Sequence, residues 1–94
     1  MKKVELFQVK EEYQRDYGFL RYDTLMKYGG LDVDRYETTY SCERPDDYDV
    51  EKAFVEFNIE RPIDFTGYSM SVGDIIKIGD EIQYCDSFGF KRLF

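Results

Sequence analysis

The sequence predicts a small α+β domain, a mostly antiparallel β-sheet with two short helices packed on one side. Three observations carry this. Val50, Ala53, Phe54 and Phe57 recur at i, i+3, i+4 and i+7, the apolar stripe of one amphipathic helix. Residues 34–41 alternate as a half-exposed strand does. Residues 72–94 break into short apolar runs separated by turn residues, the pattern of an antiparallel meander. At 94 residues the chain is one domain, 1–94, with room for a single modest core.

In chain order, residues 4–9 set Val4, Leu6 and Gln8 on one side and Glu5, Phe7 and Val9 on the other, a strand with both faces partly covered. Residues 10–16 are charged and read as a loop. A short helix follows, capped by Asp23, carrying Tyr22, Leu25 and Met26, and ended by Gly29 in the left-handed conformation. In the strand 34–41, Tyr36, Thr38 and Tyr40 share one face, with Arg35, Glu37 and Thr39 opposite. Asp47 or Asp49 caps the central helix, and Asp47, Asp49 and Glu51 all favour its positive N-terminal end. Its four stripe residues are expected in the core, where Phe54→Ala would cost ~3 kcal/mol or more. Asn58 and Pro62 stop it.

Between residues 57 and 74 the chain passes from helix to sheet. Arg61-Pro62 enforces extended backbone there, and Ser71 with Asp74 three residues on marks a turn or helix start. Gly79-Asp80 and Asp86-Ser87 then separate three runs: 72–78, 81–85 with Ile82 and Tyr84 on one face, and 88–94.

The residue types argue against catalysis. Without histidine the commonest general base near neutral pH is missing. Cys42 and Cys85 are the only cysteines and show no CxxC spacing, so a Cys-rich zinc site is not expected. Cys85 beside Asp86 lacks a basic activator nearby in sequence. Asp32-Val33-Asp34-Arg35 does not continue as a calcium loop, and Gly29-Gly30 is not followed by the lysine and threonine of a phosphate cradle. No catalytic residue, metal or cofactor is expected. No run approaches the ~18 apolar residues of a membrane span, and Glu5 and Gln8 interrupt the basic N-terminal segment as a signal core. The chain reads as cytoplasmic with no membrane contact, where two reduced core thiols are expected.

Charge is uneven. Residues 32–51 hold Asp32, Asp34, Glu37, Glu43, Asp46, Asp47, Asp49 and Glu51 against Arg35 and Arg44: eight minus two, −6 of the total −7. Such a field repels nucleic acid, so no direct nucleic-acid binding is expected, and it attracts basic protein surfaces. A solvated acidic face is the plainer reading of the same residues. Nine Tyr and eight Phe supply rings that fill a thin core or, half exposed, offer rigid contact area. The candidate partner-binding set is therefore Asp32, Asp34, Tyr36, Glu37, Tyr40, Asp46, Asp47, Tyr48, Asp49 and Glu51, with Tyr36, Tyr40 and Tyr48 as desolvated anchors.

Several pieces in one order carry a family resemblance: Tyr17-Gly18-Phe19, Gly29-Gly30, residues 36–41, Glu56-Phe57-Asn58, Arg61-Pro62, Asp64-Phe65, Gly67-Tyr68-Ser69, Ser71-Val72-Gly73-Asp74 and residues 85–90. Together they resemble the YodL-like domain. The resemblance implies a small cytoplasmic α+β module of Firmicutes and their mobile elements, found alone or within longer proteins, with no catalytic motif to carry over. Some small acidic proteins of such elements are anti-CRISPR inhibitors of Cas9. The expectation is thus a non-enzymatic inhibitor whose partner is a Cas9-type effector with a basic nucleic-acid-binding surface. The alternative is an accessory interaction domain with a cytoskeletal or conjugation partner.

Overall fold

Alternation in the first strand decides the layout. β1 (Lys2–Val9) sends Val4 and Leu6 to one face and Phe7 and Val9 to the other, so it needs cover on both sides. It lies inside the sheet, antiparallel to β2 (Tyr36–Arg44) and to β3 (Ile75–Ile78). β4 (Glu81–Asp86) pairs with β3, and β5 (Gly89–Arg92) with β4, giving a five-stranded antiparallel sheet of order β2-β1-β3-β4-β5. The computed structural model describes residues 1–17, 20–27, 29–87 and 89–93, the side chains of residues 16 and 17 excepted. Part of the expected last strand, residues 88 and 94, lies outside the described residues, as do 18, 19 and 28.

The fold is α+β, but its two longer helices lie on opposite faces of the sheet, not on one side. α3 (Val50–Asn58) packs Ala53 and Phe57 on Val4, Leu6, Ile76 and Ile78, where Phe65 and Met70 join them. α2 (Tyr22–Lys27) packs Leu25 with Val9, Tyr36, Ile75 and Tyr84. β3 explains why: Ile75 points one way and Ile76 and Ile78 the other, so a single helical layer would leave apolar area in water. The expected loop over residues 10–16 instead forms a 3-10 turn, Glu11–Tyr13, and a one-turn helix, α1 (Gln14–Tyr17).

Three local expectations change. The register slips between Leu6 and Phe7, which pair with Tyr40 and Thr38 and leave Thr39 without an opposite residue. This β-bulge reverses the alternation along β2. Tyr36 therefore enters the α2-side core, while Tyr40 packs against the α3-side core. Asp23 does not cap α2: the Tyr22 N–H donates to Asp86 Oδ1 of β4 at 3.0 Å, while Asp23 accepts from the adjacent Thr24 N–H and lies 3.9 Å from the Arg21 guanidinium. Phe54 is not core. Ala53 and Phe57 are 0% exposed but Phe54 is 43% exposed, because at ~100° per residue it sits at the margin of the buried stripe.

The segment after α3 is irregular and is fixed by one glutamine. Gln8 is buried, its Nε2 donating to the Tyr68 carbonyl at 2.7 Å and to Asp74 Oδ2 at 2.9 Å. Its Oε1 accepts from the Tyr68 N–H at 3.1 Å. Asp74 Oδ2 also accepts from the Ser71 N–H, closing a tight turn rather than a helix. Gly67 has to be glycine on this path, since a Cβ there would lie 2.5 Å from Gln8 Oε1 and 2.7 Å from a Phe65 ring carbon.

Cys42 and Cys85 are both free. They sit on β2 and β4, with β1 and β3 between. Three inter-strand spacings put their backbones ~14 Å apart, about twice the reach of a disulfide.

Candidate partner-binding face

The acidic side chains gather where β2 hands over to α3. Pro45 to Tyr48 is a turn closed by the Tyr48 N–H on the Pro45 carbonyl at 3.0 Å. Asp46 and Asp47 occupy its two central positions and point to solvent. Asp49 follows as the N-cap of α3, its carboxylate accepting from the Lys52 N–H at 3.0 Å, and Glu51 lies exposed in the first turn. Of the two expected caps, Asp49 fills the role. Asp47 instead pairs with Lys52 Nζ at 3.0 Å.

A half-buried polar network ties both ends of this turn to α3. The Arg44 guanidinium donates to both oxygens of Glu56, its Nε reaching Oε1 at 3.1 Å. The Tyr48 hydroxyl donates to the same Oε1 at 2.6 Å. The donated bond from Arg44 holds the Glu56 carboxyl below its usual range. Burial first, then the bond to Glu56, pushes the Tyr48 phenol far up, so it stays a donor. The Lys52 ammonium lowers Asp47, and the N-terminal ammonium at 2.9 Å lowers Asp46, so both stay ionised near neutral pH.

The tyrosines do not serve as surface anchors in the manner expected. Tyr36 is 8% exposed and Tyr48 7%. The Tyr36 hydroxyl donates to the Gly73 carbonyl at 2.6 Å. Tyr40 is half-buried, edge-on to Phe57 and Phe65, with its hydroxyl on Asp64 Oδ1 at 2.8 Å. Their rings had to fill a core that contains no tryptophan. Tyr48→Ala would collapse the acidic turn rather than remove a contact from it.

The remaining predicted residues lie elsewhere. Asp32 accepts from the Asp34 N–H at 3.1 Å and pairs with Arg35 at 3.2 Å, and Glu37 is exposed at the start of β2. The eight residue steps of β2 separate this end from Asp46 by ~27 Å. That exceeds the ~8 Å screening length at physiological salt, so the −6 stretch acts as two patches.

Beside the acidic turn runs an apolar groove of about 740 Å³ between α3, residues 70–72 and the β4–β5 hairpin. Val50, Phe54, Met70, Val72, Cys85 and Phe90 line it, and its charged lining residues are Glu51 and Asp86. Burial pushes the Cys85 thiol up to about 12, with Asp74 and Asp86 adding to the shift, so its sulfur is a neutral apolar wall. The groove shares Val50 and Gln83 with the recess beneath Asp46, Asp47 and Asp49. The sequence held no local signal for it, because its walls come from three segments that only the fold brings together. Among the described residues no group of three His, Cys, Asp or Glu is placed to hold a metal ion, and no helix is long and apolar enough to cross a membrane.

Among known proteins, the family model for the YodL-like domain matches residues 3–94. No curated protein and no solved structure matches.

Proposed function

The chain belongs to the YodL-like domain family, and we propose that this member binds a basic, nucleic-acid-binding partner protein as a non-enzymatic, anti-CRISPR-type inhibitor of a Cas9-type effector. The observation behind this reading is the set of carboxylates Asp46, Asp47, Asp49 and Glu51 gathered on one turn and the first turn of α3, facing Lys52 and the N-terminal ammonium, four minus two, −2 before Lys2 of the adjoining recess is counted. Effectors of that kind hold guide RNA and its heteroduplex in positively charged channels. Carboxylates fixed on a turn can occupy positions otherwise taken by backbone phosphates, hindering guide or target engagement. The proposed cellular setting is the cytoplasm of a bacterial host.

Reversing Asp46, Asp47 and Glu51 to Lys tests this and spares the Asp49 cap. Association with the effector, measured before and after guide loading, should slow about 10-fold or more at low salt, and the deficit should fade as salt rises. Full inhibition by the triple variant across the salt series would refute the phosphate-mimic role. If neither the parent nor the variant binds the effector, the accessory interaction domain of a conjugative element or host is the better reading.

A further inference from the structure

Phe54 is the anomaly of α3. It belongs by spacing to the buried stripe, yet 43% of it is exposed, and it forms one wall of the groove that faces Val72 and Phe90. A groove this size with aliphatic and aromatic walls favours an apolar side chain, because removing such a group from water is the dominant gain available there. Its rim selects the surroundings of that side chain. Glu51 and Asp86 are its charged lining groups, and the acidic turn adjoins it through Val50 and Gln83. Of the basic groups around it, Lys52 pairs with Asp47 at 3.0 Å and Arg92 with Glu81 at 3.8 Å, and Lys2 lines the adjoining recess among four carboxylates, Asp46, Asp47, Asp49 and Glu81.

We infer that the groove receives an apolar side chain presented between lysines or arginines on a segment of the partner protein. This rests on the basic-partner reading above and adds the anchor that charge alone does not supply. Charged rims speed encounter, whereas a desolvated apolar anchor in a pocket slows dissociation. A second copy of this chain fits poorly as the occupant, since each copy carries −7 and would bring acid to an acidic rim.

The test uses the whole chain, isotope-labelled, titrated with three short synthetic peptides and followed by its backbone amide signals. The first has lysines flanking a central phenylalanine, the second lysines flanking serine, and the third glutamates flanking phenylalanine. The first should bind about 10-fold or more tighter than the second, the gain expected from burying one large apolar side chain. It should move the amides of Phe54, Val72 and Phe90. Phe54→Ser, with its amide spectrum otherwise retained, should erase the difference between the two lysine peptides.

If the two lysine peptides bind equally and move only residues 46–51, the groove is not an anchor, although the basic-partner reading stands. Equal binding of the glutamate peptide would overturn the basic character of the occupant. If no peptide moves any amide at low salt, the groove inference and the reading beneath it fail together.

Discussion

Phe57→Ala should cost about 4 kcal/mol, as a fully buried aromatic truncation does, while Phe54→Ala three residues earlier should cost less than about 1 kcal/mol. Phe57 is 0% exposed and lies edge-on to Phe65 at 5.2 Å and Tyr40 at 5.6 Å between ring centres. Its loss opens a cavity where α3, β2 and the segment after α3 meet. Phe54 touches the core only at its margin. Urea unfolding of the two variants beside the parent reads the contrast directly. Equal losses would place Phe54 in the core and close the groove proposed as an anchor site.

The second large effect belongs to Gln8. Gln8→Leu should cost about 3 kcal/mol near neutral pH, because it strips a donor from the buried Asp74 carboxylate and unpairs the Tyr68 backbone. The loss should depend on pH. Burial raises Asp74 to about 6, above the ordinary aspartate value of 3.8. The folded chain therefore holds this proton more tightly than the unfolded chain. The stabilisation this supplies is fully present below pH 3.8 and is lost as pH rises through about 6. The Gln8 donor works against burial by favouring the ionised form. Removing it raises Asp74 further, so the variant should lose more at about pH 7.5 than at about pH 4.5. An equal loss at both pH values would mean that Asp74 is not the partner through which Gln8 acts.

What the sequence made legible follows its local periodicities. The α3 helix, a cap from Asp47 or Asp49 and the closing meander rest on spacing within a few residues, and each is found, with Asp49 as the cap and only Ala53 and Phe57 of the stripe fully buried. Features that depend on pairing between distant segments were not legible. The bulge at Thr39 arises from the register of β1 against β2, so the even alternation of Tyr36, Thr38 and Tyr40 misled. The acceptor at the start of α2 comes from Asp86, far along the chain, and so pre-empts the nearby Asp23. Spacing puts Gln8 on the Val4 and Leu6 face of its strand but not its partners, the Tyr68 backbone and Asp74, which lie some sixty residues on. For the candidate face, clustered carboxylates predicted the acidic turn. Only the length of β2 shows that Asp32, Asp34 and Glu37 belong to a different surface.

Amide hydrogen exchange on this chain, free and bound to a Cas9-type effector, tests the central claim most directly. Protection on binding should concentrate at residues 46–54, 70–72 and 85–90, the acidic turn with its adjoining groove. Residues 32–37 should exchange as they do in the free chain. Protection confined to the 32–37 end, or none anywhere in the presence of excess effector, would contradict the account.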